Sequence, residues 1–167
     1  MSRLLTPELE ALIGTTAIYA NTEPIGRSAI RYFSLAIGDD NPLYRDRVFA
    51  RELGYSDVIA PPTFICETNY YMDRFRDEDG YIGHTWNISI PGTRLIRGGH
   101  EYEFVRPAYP TDCISAHWKI VDISERISPK GPAMLLVLSE VRFINQDDEL
   151  LATNNETLIY QELPADA

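Results

Sequence analysis

The second half of the chain alternates polar and apolar residues, and this pattern constrains the fold more than any other feature. Four long candidate strands follow Ile88, at residues 100–106, 112–123, 133–145 and 150–161. Gly131-Pro132 and Asp147-Asp148 mark turns between them. The preceding half reads as mainly helical. Helices followed by a run of antiparallel strands predict an α+β fold in which one face of the sheet is buried.

The first half contains short helices and one strand. Thr6-Pro7-Glu8 is typical of a helix start, and residues 15–22 read as a strand. A helix is predicted over 27–37 because its apolar residues recur every three or four positions, and Gly38 is placed to end it. A short helix is predicted over 47–53, with Asp46 as its cap.

Two prolines open the longest helical pattern of the chain. Proline is excluded from a helix interior but is tolerated in the first turn, so Pro61-Pro62 marks an entry. A broad apolar face follows, and the pattern predicts a largely buried helix from Pro62 to Arg74. A rigid helix entry explains both prolines without any function.

Two carboxylates follow Gly38, and Asn41-Pro42 comes directly after them. Proline disfavours helix at Asn41, so the chain turns or extends there. A carboxylate held between two helices is a candidate general acid or base. Ordinary Asp-Asn-Pro turn chemistry explains the same residues, and on this stretch alone it is the favoured interpretation.

Composition limits the classes of partner. The chain has 167 residues, which fits one domain, and 44% of them are hydrophobic. A net charge of −10 argues against nucleic acid and anionic membranes as partners, although local arginines can still hold an anionic ligand. The first ten residues contain no long apolar run, and no stretch has the length of a membrane span, so a cytoplasmic protein is expected.

The cysteine and histidine content argues against structural cross-links and metals. Cys66 and Cys113 lie far apart, and free thiols in a reducing compartment are the default expectation. The three histidines form no cluster with the cysteines, so no metal site is predicted.

Residues 38–43, Gly-Asp-Asp-Asn-Pro-Leu, resemble the signature Gly-Asp-x-Asn-Pro-Leu-His of the MaoC-like, or hydratase 2, family. The resemblance extends from about Glu8 to Gln161. It implies a hotdog fold, with a long central helix wrapped by a curved antiparallel sheet, over one domain at 1–162, and a disordered tail is expected at 163–167. It also implies a hotdog partner, in a homodimer or a heteromer. The implied reaction is hydration of trans-2-enoyl thioesters of coenzyme A or acyl carrier protein, or the reverse dehydration, without metal or cofactor.

Carried over residue by residue, the resemblance implies an incomplete catalytic set. Asp39 matches the catalytic Asp, and Asn41 matches the Asn that holds the loop. Tyr44 stands where the family has its catalytic His, and a phenol is a poor base near neutrality. The family's glycine N–H that polarises the thioester carbonyl falls by spacing on Pro62, which has no N–H. Thr63 N–H substitutes only if the loop is shifted.

The chain also resembles one branch of the family, the N-terminal or FAS1-like dehydratase half, at residues 60–64, 98–104 and 106–107. Members of that branch support a second hotdog that carries the intact Asp and His. Gly98, Gly99 and His100 are then candidates for substrate contact, together with Pro62 and Thr63. A β-bulge is the favoured explanation of the two glycines.

The resemblance leaves three functions open. The first is a supporting subunit of a heteromeric hydratase or dehydratase, which lines the acyl tunnel. The second is a self-sufficient homodimeric hydratase that uses Asp39 with water or Tyr44. The third is an acyl-thioester-binding module without catalysis. His84 is a candidate replacement imidazole or a structural His, and Arg94 and Arg97 are candidate phosphate contacts or solvated loop residues. The acyl group does not follow from the sequence.

Overall fold

The computed structural model describes residues 4–68, 78, 84–127 and 131–164. The described part contains three α-helices, two 3₁₀ helices and five strands. The helices are α1 (Pro7–Glu10), α2 (Arg27–Ala36) and α3 (Arg47–Glu52), with 3₁₀ helices at Pro42–Tyr44 and Pro62–Thr68. The strands are β1 (Thr16–Ala20), β2 (Thr93–Phe104), β3 (Ser115–Arg126), β4 (Met134–Ile144) and β5 (Leu150–Glu162).

The described strands form one antiparallel sheet in the order β1-β3-β4-β5-β2. The register pairs Trp118 with Val141, Val141 with Asn154, and Asn154 with Tyr102. β2 is therefore an edge strand, and β5 is its hydrogen-bonding neighbour on one side. The α+β prediction is confirmed.

The core lies on one face of this sheet. Ile120, Leu135 and Phe143 are almost completely buried there, and burial of apolar surface of this kind supplies most of the driving force for folding. Trp86 packs across the face with its ring nearly perpendicular to that of Trp118, and its indole N–H donates to Ser139 Oγ at 2.8 Å. Trp86 is thus a residue of the core.

Some predicted boundaries move for local reasons. β3 begins at Ser115 instead of residue 112, because Asp112 is buried in a turn and accepts a hydrogen bond from Tyr109 N–H at 2.7 Å. β2 begins at Thr93, seven residues before the predicted start. The helix predicted from Pro62 to Arg74 is 3₁₀ over Pro62–Thr68, and its remainder lies outside the described residues.

The end of the chain was predicted to be disordered over 163–167. Leu163 N–H donates to Gly92 O at 2.8 Å, and residues 165–167 lie outside the described part. In the portion of the chain that the structure describes, no helix has the length and apolar character needed to cross a membrane.

Candidate functional site

Local hydrogen bonds determine the shape of the elbow loop, residues 38–46. Gly38 adopts a positive φ of 71° at the end of α2, a conformation that costs glycine little. Asp39 Oδ1 accepts from Asn41 N–H at 3.1 Å, and Asn41 Oδ1 accepts from Leu43 N–H at 3.1 Å. Each of these motif residues therefore has a structural role in the turn. Asp39 is exposed to solvent.

Tyr44 is buried at the end of the same loop. Its relative exposure is 7%, and it belongs to the hydrophobic core cluster. Burial raises the pKa of the phenol, and the nearby charge of Asp39 raises it further, while a hydrogen bond from Asn41 opposes both. Tyr44 therefore stays protonated at neutral pH. A buried neutral phenol beside an exposed carboxylate does not reproduce an Asp–His pair that activates water.

The entry of the second 3₁₀ helix forms the wall of an apolar cleft of about 210 Å³. Pro62 and Ile65 line this apolar cleft on one side, and Phe104 and Val105 line it on the other. Pro62 offers no N–H to a ligand. Thr63 is exposed, and its N–H has no acceptor in the described part of the chain. A donor is therefore present one residue later than the family pattern places it.

The Gly98-Gly99 pair forms a β-bulge in β2, as the sequence favoured. The register with β5 shifts between Arg97 and Gly99. A Cβ on Gly98 would lie 2.9 Å from Thr157 O, and Gly99 has a φ of 155°. Arg97 and His100 are three residues apart, a spacing that places side chains on opposite faces of a regular strand. The extra residue of the bulge brings both onto the same face.

Arg97 and His100 flank a buried carboxylate, that of Glu156, whose side chain is 1% exposed. Glu156 Oε1 accepts from Arg97 Nη1 at 2.9 Å, and His100 Nε2 lies 3.6 Å from the same oxygen. Glu156 Oε2 lies 2.6 Å from His84 Nε2. We call His84, Arg97, His100 and Glu156 the Glu156 cluster.

The charge state of the Glu156 cluster follows from its hydrogen bonds. His84 Nδ1 accepts from Trp86 N–H at 3.1 Å, so the ring carries its proton on Nε2 and donates it to Glu156. Burial by itself raises the pKa of Glu156. The hydrogen bond from His84, with the neighbouring His100 and Arg97, outweighs burial and holds that pKa below its ordinary value. Glu156 is therefore ionised at neutral pH.

Aromatic residues connect the Glu156 cluster to the apolar cleft. His100, Tyr102 and Phe104 follow one another along the same face of β2, with ring centroids 6.1 and 5.7 Å apart. Cys66 Sγ donates to Tyr102 Oη at 3.2 Å, which attaches this row to the 3₁₀ helix Pro62–Thr68. The buried amide of Asn154 bonds to His100 Nδ1 at 3.1 Å, and its Oδ1 has no partner in the described structure.

The structure therefore separates the residues selected from the sequence. Asp39, Asn41 and Tyr44 share the elbow loop, Pro62 lines the apolar cleft, and His100 lies in the Glu156 cluster. His84 and Arg97 belong to this cluster too, while Arg94 donates to Gln161. Glu156 was missed, because it lies in the polar run 153–157, Thr-Asn-Asn-Glu-Thr, in which nothing marks one side chain as buried.

No metal or disulfide chemistry is indicated in the described residues. No group of three or more His, Cys, Asp or Glu side chains is arranged there to hold a metal ion. Cys66 and Cys113 are not joined in a disulfide.

A family comparison matches residues 11–154 to the FAS1-like, dehydratase domain region. A UPF0336 protein of Thermobifida fusca is 35% identical over 127 residues, which cover 74% of this chain and 76% of that one. With three UPF0336 proteins from Streptomyces species, the matched region spans only 60 to 65% of the relatives' length.

Solved structures with the same fold include two protein complexes from Mycobacterium tuberculosis. A chain of the ChsH1-ChsH2 complex has a TM-score of 0.71 at 19% identity, over 96% of this chain and 94% of that chain. A chain of the HadBC (3R-hydroxyacyl-ACP dehydratase) complex has a TM-score of 0.63 at 22% identity, over 89% and 96%. At these identities the likeness establishes the hotdog fold.

Proposed function

Since this chain belongs to the FAS1-like dehydratase branch of the MaoC-like hotdog family, we propose that it is a subunit of an enoyl-thioester hydratase or (R)-3-hydroxyacyl-thioester dehydratase. In this role it lines the acyl tunnel and stabilises a second hotdog subunit. That second subunit supplies the Asp and the His that activate water. The thioester is carried by coenzyme A or by an acyl carrier protein.

Two replaced positions carry this proposal, Tyr44 in the elbow loop and Pro62 at the entry of the second 3₁₀ helix. The reaction needs a base beside the water and a donor beside the thioester carbonyl. Tyr44 is buried and protonated, and Pro62 has no N–H. Removing one such carbonyl donor costs about 10² to 10³ in rate. The two losses are chemically independent, so together they argue for chemistry on another subunit.

The apolar cleft supports a tunnel role. Its walls combine Pro62 and Ile65 with the exposed end of β2, where Phe104 and Val105 keep about half of their surface in solvent. Apolar walls of this kind suit an acyl chain, since burying each CH₂ group is worth about 0.8 kcal/mol.

The edge strand supports a hotdog partner. β2 is twelve residues long, and β5 is its partner in the sheet on one side. A long open edge is a template for pairing with another strand. In the ChsH1-ChsH2 and HadBC complexes, the chains that share this fold are found in assemblies.

The test measures hydration of crotonyl-CoA and 2-decenoyl-CoA by the purified chain and by its complex with a co-expressed hotdog subunit containing an intact Gly-Asp-x-Asn-Pro-x-His motif. We expect turnover only in the complex. Asp39→Asn in this chain should leave that turnover within a factor of about 3, as should the neighbouring control Asp40→Asn.

A different result identifies the alternatives. Turnover by the chain alone that Asp39→Asn abolishes would favour the self-sufficient hydratase, for which the Thr63 N–H, without an acceptor among the described residues, is a candidate carbonyl donor. Thioester binding without turnover in any complex would favour the non-catalytic binding module.

A further inference from the structure

A second cleft lies beside the elbow loop and is lined mainly by arginines. It has a volume of about 200 Å³, and the residues that line it in the described structure are Arg27, Arg31, Tyr44, Arg45, Arg47 and Val58. We call it the arginine cleft. The protein has only 15 basic residues and a net charge of −10, so four arginines at one cleft are a marked local reversal of charge.

One carboxylate next to the arginine cleft organises two of its arginines. Asp57 accepts from Arg27 Nη2 at 2.5 Å and from Arg27 Nε at 3.2 Å. Arg47 Nε lies 3.7 Å from the same carboxylate. The Arg27 hydrogen bonds hold the pKa of Asp57 below its ordinary value, so this carboxylate is ionised at neutral pH. It offsets one of the four positive charges.

Arg31 and Arg45 are not paired with Asp57. Arg31 lies over the Tyr32 ring, with its guanidinium carbon 5.2 Å from the ring centroid. Both arginines are exposed. The neighbouring Asp46 accepts from the N–H groups of Val48 and Phe49 and so serves as the cap of α3. None of the lining residues is acidic.

We infer that the arginine cleft binds a phosphate or pyrophosphate group of the thioester's carrier. The inference rests on the proposed function for the identity of that carrier. Guanidinium groups present planar, paired donors that match phosphate oxygens, and they remain charged at every physiological pH. The volume of about 200 Å³ is well above the roughly 10–15 Å³ that admits a single water, so a phosphate group has room in the cleft.

Tyr44 joins this cleft to the altered motif. The residue at the family's histidine position forms part of the wall of an anion site, and its ring is 7% exposed. The phenol adds no charge that titrates near neutrality. Replacing imidazole by phenol therefore removes a base and leaves the arginines as the charged groups that line the cleft.

The two sources of phosphate are the nucleotide end of coenzyme A and the phosphopantetheine arm of an acyl carrier protein. The experiment titrates the purified chain by calorimetry with coenzyme A, 3′,5′-ADP, 4′-phosphopantetheine and inorganic pyrophosphate. Binding of 3′,5′-ADP with an affinity near that of coenzyme A assigns the nucleotide end. Coenzyme A contains the pantetheine arm as well, so the carrier-protein arm is assigned only if phosphopantetheine binds more tightly than coenzyme A and 3′,5′-ADP does not bind.

The variants Arg31→Gln and Arg45→Gln change the two arginines that do not pair with Asp57. Consider whichever of the four ligands binds the wild-type chain. Each substitution should weaken its binding by about 10-fold or more, because a hydrogen bond to a charged group is lost. The exposed Arg142 on β4 provides a matched control, and Arg142→Gln should change affinity less than 2-fold. Affinity for the wild-type chain should also fall as ionic strength rises.

The inference is overturned if none of the four ligands binds, or if Arg31→Gln and Arg45→Gln bind like the control while circular dichroism shows an intact fold. Because binding is measured without turnover, this failure is separate from that of the proposed function. If complexes that contain the Arg31→Gln or Arg45→Gln subunit turn over normally with a wild-type KM, the proposed function stands and the phosphate site is rejected.

Discussion

The Glu156 cluster predicts how the stability of the fold depends on pH. Replacing Glu156 by Gln keeps the size of the side chain but removes its charge. The single oxygen of the Gln amide can still accept from either His84 or Arg97. The amide NH₂ then faces whichever of these two donors is left. One hydrogen bond to a charged group is lost, and a buried donor is left without an acceptor.

The magnitude follows from these contacts. A buried polar group left unsatisfied costs about 1–3 kcal/mol. Arg97 is half exposed, so water can solvate it after the change, and this keeps the estimate near the middle of that range at about 2 kcal/mol. For a chain of this length, such a loss lowers the melting temperature by about 4–8 °C.

Urea unfolding of wild type and Glu156→Gln at a series of pH values checks this reasoning. The pKa of Glu156 is held below its ordinary value of 4.5, so its stabilising contribution is fully present above pH 4.5. It is lost as pH falls through the lower folded-state pKa. The free energies of unfolding should therefore differ at pH 7 and converge in acid.

Glu101 provides the control, because it lies on β2 beside His100 and is exposed. Glu101→Gln should change the free energy of unfolding by less than about 0.5 kcal/mol. A Glu156→Gln protein as stable as wild type at pH 7, or one with an offset that is the same at pH 7 and pH 3, would refute the reasoning.

Three further predictions concern the backbone and the motif. Gly98→Ala should destabilise the fold by about 1–3 kcal/mol in urea unfolding, because the new Cβ would lie 2.9 Å from the Thr157 carbonyl oxygen. Asp46→Ala should cost about 1 kcal/mol through loss of the α3 cap, and Asp46→Asn should restore most of it. Tyr44→His alone should give no crotonyl-CoA hydration by the isolated chain, because the carbonyl donor, worth about 10² to 10³ in rate, is still missing. Hydration should require Pro62→Gly as well. Activity from Tyr44→His alone would contradict the role assigned to Pro62.

The sheet was predictable because a half-buried strand repeats every two residues. The segments 133–145 and 150–161 correspond closely to β4 and β5 for this reason. The bulge at Gly98 was also predictable from its glycine pair. The placement of Arg97 and His100 on the same face of β2 was not predictable, because a one-residue shift of register reverses the face of every later side chain.

The two charged constellations escaped sequence analysis for a related reason. Glu156 meets His84 across 72 residues, and nothing in the local pattern of either segment indicates the other. The arginine cleft combines an i, i+4 pair on α2, Arg27 and Arg31, with Arg45 of the elbow loop and Arg47, the first residue of α3. The helical pair was visible in the sequence, but a charged pair on a helix is usually solvated. Only the tertiary fold places Arg45 and Arg47 beside this pair.

The elbow loop also explains why its motif is a poor guide to catalysis in this chain. Gly38 ends α2 at positive φ, Asp39 and Asn41 accept backbone hydrogen bonds within the turn, and Pro42 begins a 3₁₀ helix. These bonds account for the matched residues without any contact to a substrate, so their presence does not distinguish an active hotdog from a supporting one. The two replaced positions do distinguish them, because Tyr44 and Pro62 each remove a group that the reaction requires. Under the proposed function, residues 44 and 62 rather than Asp39 therefore set the role of this chain.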